Sequence, residues 1–329
     1  MLTLPVTVII PVKNRKDLIL MTLHSIMKQS HCPSEVIVVD DRSTDGTWKT
    51  LVHFKETITL PFALFLYRTK NGSKGPGIAR NYGLSHASSE LVAFTDSDCI
   101  ADKSWLFKLT HPLLNPEKPT ELVGTSGKVR TYRKDFIGEF CDAMELLNPP
   151  PNLYFLVTAN CCYKRTILED SGGFKKELRR HEDSELSSRL LNQGYRFEFV
   201  PDAIIYHYFS PKIGDLIRTF SKWGQGAYDR YKVEGTIISR TEEDIKKVNR
   251  RFSRPESFPE LMKVLFRQID LLTLVSWIIR DIQALIISSI RKKHSLGKII
   301  AFIGMLFLIR FVYWSGFVRR QRFEARKTS

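Results

Sequence analysis

The chain has 329 residues, enough for one large or two modest domains, and its 43% hydrophobic content is that of a globular protein. Its net charge of +15 is unevenly placed: residues 1–209 carry 26 basic and 24 acidic side chains, and residues 210–329 carry 24 basic and 11 acidic. The near-neutral N-terminal portion argues against a nucleic-acid-binding face there, whereas a basic C-terminal third mixed with Trp, Phe and Ile fits an anionic lipid surface.

In chain order, Val6–Pro11 is a β-branched apolar run that predicts a strand, and Asn14 is placed to cap the helix after it. Val36–Val39 predicts a second buried strand ending at Asp40-Asp41, and Asp45-Gly46-Thr47 turns into another helix. Phe62–Tyr67 reads as a third strand, and the glycine-rich stretch from Asn71 to Gly77 feeds a helix through Leu84. Leu91–Thr95 is a fourth strand, ending at Asp96-Ser97-Asp98. Beyond residue 102 the pattern is mixed: a helix over Trp105–Leu114, strands over Leu122–Tyr132, Leu153–Val157 and Phe197–Val200, and a helix over Glu182–Leu191. The alternation predicts an α/β fold with a doubly wound, mostly parallel sheet, in which ligands bind beyond the carboxyl ends of the strands.

Five cysteines without a Cys-x-x-Cys spacing fit a reducing compartment rather than a disulfide framework or zinc site, and Cys161 and Cys162 read as small buried residues. The first residues run straight into a strand, with no signal-peptide pattern.

The acidic pairs carry the chemistry. Asp96 and Asp98 repel one another unless a cation or proton intervenes, and a hard divalent ion bridging to a diphosphate answers that need. Asp40-Asp41 is either a plain strand-to-turn boundary or an acceptor for a pyrimidine ring or ribose hydroxyl. Glu182-Asp183 is either helix capping or a general base. Lys74 and Arg80 flank the glycine loop, as phosphate partners or as solvated surface charge. His207, in the apolar stretch Ile204–Tyr208, is a packed residue or a metal ligand.

Several segments together resemble the family 2 glycosyltransferases, which have the nucleotide-sugar-binding GT-A fold. They are Val8-Ile9-Ile10-Pro11-Val12-Lys13-Asn14, Val38-Val39-Asp40-Asp41 through Thr47, Gly77-Ile78-Ala79-Arg80-Asn81 and Phe94-Thr95-Asp96-Ser97-Asp98. Thr158-Ala159-Asn160, Gly172-Gly173-Phe174 and Glu182-Asp183 with Glu185-Leu186 continue the match, which covers residues 5–210. The resemblance implies that Pro11 and Asp41 line the base pocket, that Asp96 contacts ribose or sugar, and that Asp98 binds Mg²⁺ or Mn²⁺ on the diphosphate. It implies Asp183 as the base of an inverting transfer and His207 as a further metal ligand. Asn14, Asp40, Lys74, Arg80 and Glu182 complete the expected donor site. The polymer-synthase signature Gln-x-x-Arg-Trp is absent, which speaks against a processive polymerase.

The expected organisation is a catalytic domain over 1–210, with residues 1–102 binding the donor and residues 103–210 the acceptor. A basic helical connector over 211–260 and membrane-associated helices over 261–329 follow. Leu271–Ile290 and Ile299–Val318 are apolar, and 299–318 is long enough to cross a bilayer. Arg310 and the basic loop 291–298 count against a hairpin of two spans, objections that a surface-lying amphipathic pair would meet; the expectation is membrane attachment, with a transmembrane helix preferred by a narrow margin over the surface-lying pair. The expected partners are a nucleotide-sugar donor, a glycan or lipid-linked acceptor and an anionic membrane, with no nucleic acid. The catalytic domain is expected on the cytoplasmic side of the cell membrane. A polyprenyl-phosphate sugar synthase is the near alternative; a nucleotidyltransferase or a non-catalytic membrane scaffold is the alternative of another class.

Overall fold

The computed structural model describes residues 2–70, 75–150, 152–234 and 271–328. The chain divides into two compact units, one formed by the residues up to Tyr132 with Leu147–Tyr208, the other by Arg133–Leu146 with Phe209 onward.

The first unit is built on an eight-stranded sheet: β1 (Leu2–Val12), β2 (His31–Asp40), β3 (Ala63–Arg68), β4 (Leu91–Thr95), β5 (Cys99–Ala101), β6 (Leu122–Thr131), β7 (Asn160–Lys164) and β8 (Arg196–His207). Its helices are α1 (Lys16–Met27), α2 (Thr47–Thr57), α3 (Pro76–Leu84), α4 (Trp105–Leu114), α6 (Arg165–Asp170) and α7 (Glu182–Asn192). The strand order is β3-β2-β1-β4-β7-β6-β8-β5. Successive residues of a strand point to opposite faces. Val8, Ile10, Val36 and Val38 therefore pack with α1, α2 and α4, while Ile9, Ile37 and Val39 pack with α3, α6 and α7. Each of these fully buried aliphatic side chains contributes about 1.5–3 kcal/mol of transfer free energy. Helices on both faces explain why these strands read as unbroken apolar runs.

The sheet keeps a narrow majority of parallel pairings but departs from the expected doubly wound arrangement. β1, β2, β3 and β4 are parallel to one another, as are β6 and β8, but β7 is antiparallel to both β4 and β6, and β5 is antiparallel to β8. The sheet also cannot be flat. In the strand order β4 and β5 stand four strand spacings apart, about 19 Å in a flat sheet. Only Asp96-Ser97-Asp98 joins them, and four Cα steps reach at most about 14 Å. The second half therefore curls back over the α1 face, where the Cys99 amide donates to Thr22 Oγ1 (3.2 Å) and the Ala101 amide to Ser25 Oγ (3.0 Å).

Leu153–Val157 is not a strand. The Leu153 amide closes a turn onto the Pro150 carbonyl, and the Leu156 amide donates to Ser187 Oγ, so these donors are taken before a ladder can form. β8 runs further than expected because a register shift opposite Gly127/Lys128 lets it pass Pro201 and resume pairing through His207. Cys161 and Cys162 are buried, and no described cysteine forms a disulfide.

The second unit is helical: α5 (Phe136–Ala143), α8 (Ile213–Glu234), α9 (Leu271–Arg291) and α10 (Leu296–Thr328). α5 falls inside the stretch expected to be purely catalytic, yet its Ile137 and Phe140 pack with Leu216 and Phe220 of α8, Leu285 of α9 and Phe302 of α10. Residues 235–260 of the expected connector lie outside the described residues.

Candidate active site

The parallel half of the sheet brings the carboxyl ends of β1, β2 and β4 to one edge, and the acidic pairs follow from that topology. Pro11 is half-buried near the end of β1. Asn14, expected to cap α1, instead adopts φ 52° and accepts from the Thr44 amide (2.8 Å), while its own amide donates to Ser43 Oγ (2.8 Å). It clips the loop after β1 to the loop after β2, a task that suits Asn because it tolerates the left-handed region. Arg15 occupies the N-cap position without a side-chain cap bond.

Asp40 and Asp41 have different environments. Asp40 is fully buried, paired with Arg68 (2.9 Å) and accepting from the Ser43 amide (3.1 Å), so it shapes the turn after β2. Asp41 accepts from Lys13 Nζ and Thr69 Oγ1, each at 3.0 Å, beside the end of β1. Lys74 lies outside the described residues.

Arg80 is only 3% exposed and spans two carboxylates, Glu182 at 2.7 Å and Asp96 at 2.9 Å. It is therefore not a solvated surface charge. Burial alone would lower its pKa, but Asp96, Glu182 and Asp183 outweigh that and raise it. The approach is possible because Gly77 leaves room for Glu182, whose Cγ would stand 3.1 Å from an added Cβ. Asn81 completes the junction, donating to the Phe174 carbonyl (2.7 Å) and accepting from the Phe174 amide (2.8 Å). Gly173, at φ 65°, is pressed against that same Asn81 side chain.

Glu182 and Asp183 open α7 behind His181, which takes φ 62°. Glu182 is 4% exposed; burial and the neighbouring Asp183 push its pKa up to about 7 against the pull of Arg80. Asp183 is half-buried, with Oδ1 accepting from the Ser184 amide (2.8 Å). The two carboxylates thus separate into an inner one tied to Arg80 and an outer one nearer solvent.

Asp98 gathers a second cluster. Its Oδ1 lies 3.4 Å from His207 Nε2 and its Oδ2 3.3 Å from Arg15 Nε. The antiparallel pairing of Cys99 with His207 sets this distance, and the Tyr208 amide donates to the Asp98 carbonyl (2.9 Å). Ligand atoms of Asp98, Cys99 and His207 lie within 4.8 Å of one another. Burial, then Asp98 and Asp96, raise the Cys99 thiol well above its ordinary pKa. The hard oxygen of Asp98 and the imidazole of His207 are ligand types that would suit a divalent ion.

The expected residues thus form three neighbourhoods: Asp41 with Lys13 and Thr69, Asp96 with Arg80, Glu182 and Asp183, and Asp98 with His207 and Arg15. Lys13, Arg15 and Thr69 were not singled out from the sequence. Three cations in Lys13-Asn14-Arg15-Lys16, just past a strand end, were the available signal.

The glycosyl transferase family 2 model matches residues 7–172. The chain belongs to that family. A second model, glycosyl transferase family group 2, matches residues 138–319, so the helical unit is included in the resemblance. Among curated family members, glycosyltransferase AglE of Haloferax volcanii is 28% identical over 72% of this chain and 78% of its own. The probable glycosyltransferase YdaM of Bacillus subtilis is 27% identical over 67% of this chain, which spans 54% of that protein's length. Of the solved structures, mannosyltransferase PcManGT from Pyrobaculum calidifontis, in complex with GDP-Man and Mn²⁺, has a TM-score of 0.60 at 22% identity, covering 97% of this chain and 87% of that one. S. aureus TarS has a TM-score of 0.51 at 19% identity, covering 95% of this chain and 54% of that one. These likenesses establish the GT-A-like fold of this family 2 chain. Among the described residues, Leu296–Glu324 is one helix long and apolar enough to cross a membrane.

Proposed function

We propose that the chain is an inverting hexosyltransferase that moves a sugar from a nucleotide-sugar donor to a lipid-linked or cell-surface glycan acceptor at the cytoplasmic face of a membrane. The observation that carries this reading is the division of labour at the start of α7. Glu182 is spent on Arg80, while Asp183, one residue on, is half-buried and accepts the Ser184 amide through Oδ1. A carboxylate in that position is suited to accept a proton from an acceptor hydroxyl as its oxygen attacks the anomeric carbon and the nucleoside diphosphate departs. Asp41 with Thr69 suits the base, and Asp96, braced by Arg80, suits the ribose or sugar. Asp98 and His207 would hold Mg²⁺ or Mn²⁺, which when bound neutralises charge on the departing diphosphate. Mn²⁺ in the PcManGT structure supports that choice. Arg15 and Lys13 bring positive charge to the same edge, and the apolar helix supports membrane attachment.

Asp183→Asn tests the base. Nucleotide-sugar binding by thermal shift with Mn²⁺ should persist, while transfer falls by roughly 10²–10⁴-fold. Full transfer activity in this variant would remove Asp183 from the role. The exposed apolar residues of α9 and α10 favour a second reading, a polyprenyl-phosphate acceptor. Its nucleophile is already an anion, so Asp183→Asn would then cost little with that acceptor alone.

A further inference from the structure

We propose that α10 lies in the plane of the membrane surface, its outer stripe dipped into one anionic leaflet, and does not cross the bilayer. This rests on the membrane attachment proposed above and states its geometry.

Length alone permits a tilted span, so the neighbours of α10 decide. Leu296, Ile300, Phe307 and Phe311 are exposed, Leu296 by 74% and Phe311 by 72%. Their spacing of four, seven and four residues places them on one stripe of the helix. An exposed apolar stripe of this size marks a surface that meets lipid or another apolar partner. Charge complementarity selects lipid with anionic headgroups: Lys293 before the stripe and Arg319 and Arg322 after it are all exposed.

The opposite side of α10 is covered by a helix that does not belong in hydrocarbon. α8 runs beside it, with Gly224 and Gly316 allowing backbone contact: an added Cβ would fall 1.8 Å from the Tyr313 carbonyl oxygen and 2.2 Å from that of Ser221. Further along, Asp229 pairs with Arg320 (2.8 Å) and Lys232 with Glu324 (3.8 Å). Matching positions advance together on both helices, so they run parallel. If α10 crossed the bilayer, α8 would cross with it, carrying exposed Arg218 and Lys222 as well as those pairs.

The turn between α9 and α10 gives the same answer. Lys292 pairs with Asp142 (2.7 Å), and Lys298 pairs with Glu139. Both acids belong to α5, which is joined to the end of β6 by residues 132–135 alone. A two-span hairpin with its turn across the bilayer would tear both pairs apart. Arg310, the residue most costly in a span, is paired with Asp281 of α9.

The test uses the full chain on phosphatidylcholine vesicles with and without phosphatidylglycerol. All native cysteines are buried, so single introduced thiols carry the probe. Lys293→Cys, Ile300→Cys, Phe307→Cys, Phe311→Cys and Arg322→Cys each receive a fluorophore, and its depth is read by quenchers placed along the lipid chains. The expected result is a shallow, common depth at Ile300, Phe307 and Phe311, the flanking probes at the same surface, and binding about tenfold or more weaker without the anionic lipid. Phe307 near the midplane, with the Lys293 and Arg322 probes at opposite surfaces, would overturn the in-plane geometry while leaving membrane attachment intact. Failure to co-float with either vesicle would overturn attachment itself, and equal binding to both would overturn the anionic partner.

Discussion

Replacing Glu182 by Gln isolates the cost of keeping a carboxylate inside the site. In the folded chain its pKa stands near 7, against an ordinary 4.5, because burial and Asp183 disfavour the anion more than Arg80 favours it. Below pH 4.5 both folded and unfolded chains hold the proton. Between 4.5 and 7 the folded chain holds it and the unfolded chain does not, so stability falls as pH rises through this window. A shift of this size corresponds to about 3 kcal/mol, present in full below the lower value and lost above the upper one. Gln cannot titrate but still offers Arg80 a carbonyl oxygen. Urea midpoints followed by circular dichroism from pH 5 to 8 should therefore show wild type losing stability relative to Glu182→Gln as pH rises, by about 3 kcal/mol over the whole window. Two curves that stay parallel over that range would refute the argument and leave Glu182 ionised throughout.

Asp98→Asn should weaken Mn²⁺ binding, read by electron paramagnetic resonance without substrate, by about tenfold or more, since loss of even an outer partner of a metal ligand has that effect. Gly224→Val should lower the melting temperature of the full chain, because its Cβ would overlap the Tyr313 carbonyl oxygen; overpacking of this kind costs about 1–3 kcal/mol or more. Gly304→Ala in the same helical unit meets nothing within 4 Å and should raise stability by up to about 1 kcal/mol through helix propensity.

The strands that were legible are those buried on both sides. Val6–Pro11, Val36–Val39 and Leu91–Thr95 form near-continuous apolar runs, and their parallel pairing puts Asp41, Asp96 and Asp98 at one edge, where the acidic spacing pointed. What stayed hidden depends on distant partners. Asn14 was free to cap a helix until Thr44, thirty residues on, claimed its side chain. Arg80 has nothing near it in sequence to announce that two carboxylates, 16 and 102 residues away, enclose it. Leu153–Val157 has strand composition, but Ser187 and the Pro150 carbonyl take its donors. α5 reads as belonging to the catalytic stretch because its apolar face matches a core assembled from residues far downstream.

The three-residue span from Thr95 to Cys99 acts as a drawstring on a rolled sheet. One end is knotted into the middle of the strand array, the other into its far rim, and the sheet stays rolled only while the string stays short. Adding a residue between Asp96 and Asp98 would slacken the roll and part Asp96, at the end of β4, from Asp98 and His207, which the pairing of Cys99 with His207 keeps together. The spacing of those two acids is thus held by mechanics as well as by chemistry, and the place where an ion would sit is the place where the roll is tied shut.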